Sequence, residues 1–286
     1  MSKIEVRLNP DTLPTGTDLS VVNAARRSFN TRSDWDYFTK GEVNGRGELI
    51  EYVKLKDKDK RLIEFLARGM TADDFEKFKL DAGSKGLDWL YYMDNNKEQE
   101  LVDLLWQWRN TPTHDTPFNH CFISFEVKAP IFVRAQLVKH EYLIMSEFSR
   151  RYITDDIEFY EPDYWRKASP NKKQGSLEED AKADTLICIG ECLGEYVFRD
   201  YKDLAWSAYN EMICQGVAPE QARMVLPQST MTEWTWSGTL GAFAKMCQLR
   251  LHPEAQYEAR IVAQEVYKYL KESYPVSAPA LVEGVL

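Results

Sequence analysis

No apolar run in this sequence approaches the roughly 18 residues of a membrane-spanning helix; the best stretch is 129–133. Residues 1–10 carry no apolar segment of the secretory type, so the expectation is a cytoplasmic protein that meets no membrane. The five cysteines are odd in number and never spaced as Cys-x-x-Cys, which argues for a reduced compartment rather than a disulfide framework. The four histidines lack the spacing of a helical zinc motif, so no metal is expected. Neither a GxGxxG turn nor a P-loop is present, which removes the two common glycine-rich phosphate cradles. Positive charge is short as well. With 36 Lys and Arg against 45 Asp and Glu the net charge is −9, whereas a nucleic acid polymer needs a basic surface. A local cationic pocket for a small phosphate is compatible with that balance.

What the 286 residues do hold is enough apolar material for a core: 44% hydrophobic and 13% aromatic. Residues 18–30 have helical spacing at Leu19, Val22 and Ala25, with Asp18 or Ser20 as a cap. Residues 41–55 read as a strand pair turning at Asn44-Gly45. The charge run 56–61 reads as a solvated link, and a helix starts at residues 62–66. Residues 72–95 mix acidic helical stretches with an aromatic knot, Trp89 to Tyr92. A firm helix over 98–108 puts Leu101, Leu104, Leu105 and Trp108 on one face.

The clearest strand alternates Cys121, Ile123, Phe125 and Val127 with Phe122, Ser124 and Glu126. Pro130 ends it and suits the first position of a helix, and residues 131–152 keep helical apolar spacing before a tight turn. A polar loop is expected over 166–180 and a long helical region over 181–215, stopped by Gly216. A short helix follows at 219–226, then a strand at 230–236 and helices at 240–249 and 254–273. No linker or repeat divides the chain. The reading is one α+β domain over residues 1–286, with a central antiparallel sheet flanked by helices.

Four cationic clusters stand out: Arg26-Arg27, Arg134 to Lys139, Arg150-Arg151, and Arg223 with Arg250. The segment from Lys139 to Arg151 adds His140, Glu147 and Ser149, so one ligand can meet hydroxyl, carboxylate and guanidinium together. The planar fork of arginine suits phosphate through paired hydrogen bonds. No catalytic triad follows from spacing, and the cysteines read as packing residues.

The order of the residues says more. The stretch TPFNHCFISFEVKAPIFVRAQLVKHEYLIMSEFSRRY resembles the flavin-dependent thymidylate synthases, with a TPFxH segment, an APIFVxRQ-like helix, an RHR-like triplet and the serine beyond it. The pieces DLSVVNAARRSF, FYEPDYWR, ARMVLP and LRLHPEAQYE follow the family order. Residues around 31–55 and 67–110 look like insertions relative to compact members. The resemblance implies a homotetramer with active sites where subunits meet. It implies reductive methylation of dUMP to dTMP, with methylenetetrahydrofolate giving the carbon and NADPH the hydride through FAD. It places Gln136, Lys139, Glu147, Ser149, Arg150, Arg151, Arg223 and Arg250 at dUMP, with Arg151 and Arg223 on phosphate. Arg250 would act on the uracil ring as the catalytic group. Ser28, His120, Lys139, His140, Glu141, Glu147, Thr239 and Lys245 fall at flavin positions.

Several positions depart from that pattern. Lys139 and Glu141 replace both arginines of the triplet, Thr239 and Lys245 replace two asparagines, and Glu254 replaces a histidine. Glu141 reverses charge where an anionic cofactor is expected, which makes Lys139, Arg134 or Lys245 its candidate neutralisers. Divergence around the flavin motivates a second expectation, in which water quenches the C5 methylene to give 5-hydroxymethyl-dUMP. A third is an inactive nucleotide-binding homologue on the same scaffold. For the insertion at 67–110 the preferred reading is added surface packing.

Overall fold

A computed structural model describes residues 3–87, 98–109, 113–154, 157–170, 176–181, 187–188, 195–196 and 198–283. In chain order, strand β1 (Glu5–Leu8) precedes helix α1 (Asp18–Arg26), which tightens into a 3-10 turn at Arg27–Phe29. A hairpin follows, β2 (Asp36–Val43) and β3 (Leu49–Lys54), then helices α2 (Asp57–Arg68), α3 (Ala72–Ser84) and α4 (Glu98–Trp108). The long strand β4 (Phe122–Pro130) leads to α5 (Ile131–Leu137) and β5 (Leu143–Glu147). Short strands β6 (Arg166–Ala168), β7 (Ser176–Asp180), β8 (Ile187–Cys188) and β9 (Glu195–Tyr196) come before α6 (Phe198–Cys214) and α7 (Pro219–Ala222). Strand β10 (Met231–Thr239) and helices α8 (Leu240–Arg250), α9 (Tyr257–Ser273) and α10 (Ser277–Val282) complete the order. No helix among the described residues is long and apolar enough to cross a membrane.

The chain forms two compact units. One contains Met1–Asn9, Phe125–Trp236 and Glu254–Val262; the other contains Pro10–Ser124, Ser237–Pro253 and Ala263–Leu286. The first unit is built on a four-stranded sheet in the order β1-β4-β10-β5. β1 lies antiparallel to β4, with Glu5 opposite Lys128 and Leu8 opposite Phe125. The alternation read in β4 is realised: Cys121, Ile123, Phe125 and Val127 are all buried. β10 adds Trp234 and Trp236, edge to face with centroids 6.4 Å apart.

Three expectations for this unit change. The helix read over 131–152 stops at Leu137, with Pro130 as its N-cap residue. The chain then turns through Tyr142, which sits in the left-handed region at φ 62°, and becomes β5 beside β10. Leu143, Ile144 and Met145 fit helix and strand periods equally over so short a run, and the neighbouring strand decides. The polar stretch 166–180 forms the β6–β7 hairpin, with Arg166 opposite Asp180 and Lys167 paired to Glu179 at 2.9 Å. A cross-strand ion pair and the Arg166 Nε bond to Ser176 at 2.8 Å link the strands of a hairpin that has no apolar signature. Of the helix read over 181–215, α6 begins only at Phe198, and residues 187–188 and 195–196 are strand. Gly216, at φ 78°, stops the helix as read.

In the second unit the hairpin β2–β3 turns over residues 44–48. The Asn44 side chain accepts from the N–H groups of Arg46 and Glu48, and Gly47 takes the positive φ of 79°. The run 56–61 is not a solvated link. It opens α2, and Asp59 within it is fully buried, paired to Arg26 at 2.6 Å and accepting from the Ser33 hydroxyl. A buried carboxylate persists only when paired in this way.

Helix α1 is capped by Thr17, whose N–H donates to Ser20 Oγ at 3.0 Å. Asp18 serves α10 instead: its two oxygens accept from Val276 and Ser277 N–H, each at 2.9 Å. Asp18→Ala should therefore cost about 1–2 kcal/mol, the upper range for a lost cap. Urea denaturation followed by circular dichroism checks this, and a loss under about 0.3 kcal/mol would show that the contact carries no stability.

The described residues of the segment 67–110, expected from the resemblance to be an insertion, have a core of their own. Met70, Phe75, Phe78, Leu101, Leu104 and Leu105 bury one another between α3 and α4, and Trp108 Nε1 donates to Asp81 at 3.1 Å. The aromatic knot from Trp89 to Tyr92 lies outside the described residues.

Candidate functional site

The end of β5 and the turn beyond it open into a cavity of about 400 Å³ in the first unit. Arg150, Arg151 and Arg223 line it together with Ser149 and Glu147, while Ile131, Met231 and Thr232 supply part of the wall. The Ser149 hydroxyl oxygen accepts from Arg151 twice, from its backbone N–H at 3.3 Å and from its Nε at 3.0 Å. The Arg150 guanidinium lies over the Phe148 ring, 4.8 Å from its centroid. Arg223, on the 3-10 turn after α7, donates from Nε to the Glu220 carbonyl at 3.2 Å.

Glu147 is the one acidic residue among those lining residues, and both of its oxygens are engaged. Arg134 pairs with one at 2.8 Å, and the Thr232 hydroxyl donates to the other at 2.7 Å. Arg134 is not among the lining residues, so it takes up the carboxylate charge from outside the cavity. The result is a pocket with three guanidinium groups and a neutralised acid, which suits a phosphate.

Sequence reasoning found Glu147, Ser149, Arg150, Arg151 and Arg223, and the structure brings all five together. It did not find Thr232, or the use of Arg134 at Glu147. A threonine in a strand carries no local signal of that contact, because its partner is 85 residues away. The remaining nucleotide candidates lie beside or apart from this cavity. Gln136 on α5 donates to Gln256 at 3.3 Å. Lys139 and Glu141 are exposed in the turn after α5, and His140 donates its backbone N–H to the Leu137 carbonyl. Arg250 ends α8 in the second unit, where burial lowers its pKa from the ordinary arginine value.

The flavin candidates of the second unit are spread over several elements. Ser28 lines a cavity of about 920 Å³ with Lys58 and Arg61. His120 is exposed at the end of the 3-10 segment before β4. Thr239 caps α8, accepting from Ala242 N–H at 3.2 Å, and its hydroxyl donates to Asn119 at 2.7 Å. Lys245 pairs with Asp115 at 2.9 Å. Two of the cations proposed to neutralise Glu141 thus have other partners, Arg134 at Glu147 and Lys245 at Asp115, because those carboxylates lie within ion-pair distance of them.

The hydroxyl, ammonium and guanidinium groups at the Ser28 cavity, with Phe29 and Phe65 beside them, fit the chemistry of an anionic aromatic cofactor. The two buried thiols, Cys121 and Cys247, are poor nucleophiles. Burial pushes Cys121 up to about 12, with Asp18 adding to it, and burial also raises Cys247.

The sheet and its arginine-lined cleft define an α+β protein with a built anion site. The chain belongs to the family described as thymidylate synthase complementing protein, which matches it over residues 14–276. A flavin-dependent thymidylate synthase of Thermus thermophilus is 36% identical over 194 residues, 66% of this chain and 66% of that protein. The match therefore spans just under two thirds of that relative. The flavin-dependent thymidylate synthase of Ehrlichia ruminantium, strain Gardel, is 29% identical over 244 residues, 84% of this chain and 76% of that one. Among solved structures, a UMP/dUMP methylase PolB from Streptomyces cacaoi, bound with 5-Br dUMP, superposes with a TM-score of 0.61. That comparison covers 98% of this chain and 94% of the other at 23% identity, and it shows a shared fold.

Proposed function

We propose that the protein is a flavin-dependent thymidylate synthase that methylates dUMP to dTMP. The observation that carries this reading is the cavity in which Arg150, Arg151 and Arg223 converge around Ser149, with Glu147 neutralised from outside. Arg151 and Arg223 hold the phosphate through charge-assisted hydrogen bonds, and Ser149 orients Arg151. Methylenetetrahydrofolate gives the one-carbon unit and NADPH the hydride. FAD, when bound, supplies the two-electron redox chemistry that no side chain offers. Ser28, His120, His140 and Lys139 bind and orient it. The active assembly is a homotetramer in which Gln136 and Lys139 reach the nucleotide of an adjoining subunit.

Arg250 acts on the uracil ring, where a cation stabilises negative charge that develops in the transition state. Arg250→Ala is therefore expected to lower kcat by about tenfold or more while dUMP affinity changes less. Single-turnover rates beside equilibrium titration separate the two, and near-normal methylation in that variant removes Arg250 from the chemistry.

The deciding experiment is anaerobic incubation of purified protein with FAD, NADPH, methylenetetrahydrofolate and dUMP, followed by mass analysis of the nucleotide. Formation of dTMP supports the reading. The exchange of two arginines for Lys139 and Glu141 favours one second reading, 5-hydroxymethyl-dUMP, whose mass reveals the retained oxygen. Tight dUMP binding with no product marks an inactive homologue. A parallel reaction with UMP asks whether the ribose 2′-hydroxyl is tolerated, as the name of the Streptomyces protein suggests for that enzyme.

A further inference from the structure

The 920 Å³ cavity in the second unit has an unusual third side. Ser28 and Phe29, just beyond α1, and Lys58, Arg61 and Phe65 of α2 provide two walls. The third comes from Thr71 and Asp73, which open α3 and so belong to the insertion. The insertion is fixed at both ends beside this space. Gly69, at φ 72°, ends α2 and turns the chain sharply into α3. Where the chain returns, the backbone N–H of His114, also a lining residue, donates to the Leu66 carbonyl at 2.9 Å.

The charges at the cavity can be sorted by partner. Arg26 lines it too, but its guanidinium is held by buried Asp59. That leaves Lys58 and Arg61, both exposed on α2, as the positive side and Asp73 as the negative one. The chain as a whole carries −9, so this cationic opening is a local exception. Apolar wall and cationic rim together match a planar aromatic ring with an anionic tail.

We propose that the insertion is a specificity element of this cavity, with Asp73 selecting among aromatic anions by charge, while the Thr71 hydroxyl, which donates to Asp74 at 2.6 Å and accepts from its N–H, fixes the start of α3. Lys58 and Arg61 attract the tail. Asp73 repels surplus negative charge on the ligand. Flavin dinucleotides and reduced folates share that chemistry, and the inference rests on the reading of Ser28 as a flavin-side residue.

The test uses the full-length protein and its Asp73→Asn and Asp73→Lys variants, titrated with FAD, methylenetetrahydrofolate, neutral riboflavin and dUMP. Asp73→Lys should tighten the anionic probe that occupies the cavity by about three- to tenfold at low ionic strength. Raising the salt to about 0.5 M should erase most of that gain, because the charges are exposed. Riboflavin and dUMP affinities should stay within about twofold, as neither depends on this charge. Whichever of FAD and the folate responds identifies the occupant. If Asp73→Lys fails to fold, Asp73→Asn decides, since it keeps the shape and removes only the charge. Binding of FAD or folate that no Asp73 variant alters relative to riboflavin overturns the role of the insertion and leaves the flavin reading standing. Failure of the wild-type protein to bind either anion overturns both.

Discussion

Replacing Arg223 with alanine is expected to weaken dUMP binding by about 2–5 kcal/mol, roughly thirtyfold at the low end of that range. Arg223 is exposed on the 3-10 turn after α7 and, among the described residues, is held through Nε to the Glu220 carbonyl. Its terminal nitrogens are therefore available to a phosphate, and the pair they form loses water as the nucleotide fills the 400 Å³ cavity. The loss should shrink with salt, as it does for phosphate contacts generally. FAD affinity should not change, because Arg223 is not among the residues at the Ser28 cavity. Calorimetric titration with dUMP checks the first point and flavin fluorescence the second. Unchanged dUMP affinity takes Arg223 out of the phosphate site.

Arg134→Met should also weaken dUMP binding, by about 1.5–3 kcal/mol, although Arg134 is not one of the residues that line the cavity. Without its partner at 2.8 Å, Glu147 keeps its charge and competes with phosphate for Arg150, Arg151 and Arg223. The two side chains are about one third exposed, 31% and 27%, so solvent screening holds the effect below that of a fully buried pair. The signature lies in the double variant. Arg134→Met with Glu147→Gln removes both charges and should recover most of the affinity lost in Arg134→Met alone. A coupling of at least about 1 kcal/mol in the four-protein cycle is expected. Strict additivity would mean that Arg134 acts through packing and not through Glu147.

These two predictions also mark how far the sequence was legible. β4 could be read because Cys121, Ile123, Phe125 and Val127 obey a two-residue period on a sheet with one buried face. Helix α4 could be read because its leucines obey a helical period over eleven residues. The cleft arginines were legible because residues 147–151 are contiguous and their order matches a family pattern.

Other features depend on partners distant in the chain. Asp59 looks like one more charge in Lys-Asp-Lys-Asp-Lys, and nothing local shows that Arg26 and Ser33, 33 and 26 residues earlier, draw it into the core. Arg134 reads from the sequence as a candidate partner for Glu141, whereas it meets Glu147. Only the turn at Tyr142, which converts the expected helix into β5, determines which carboxylate it meets. The β6–β7 hairpin was illegible for a related reason: Arg166 donates across the strands to Ser176 and also to Glu258, 92 residues further on, and neither contact has a local signal.

The small core shared by α3 and α4 has a consequence for how this protein can change over generations. Met70, Phe75, Phe78 and the α4 leucines bury one another, and the Arg68 guanidinium of α2 lies over the Phe75 ring, 3.7 Å from its centroid. Thr71 and Asp73, which line the Ser28 cavity, sit at the edge of that cluster rather than on the central sheet. The rim of the Ser28 cavity and the arginine cleft share no lining residue. A change at Asp73 can therefore alter the first without replacing any residue of the second.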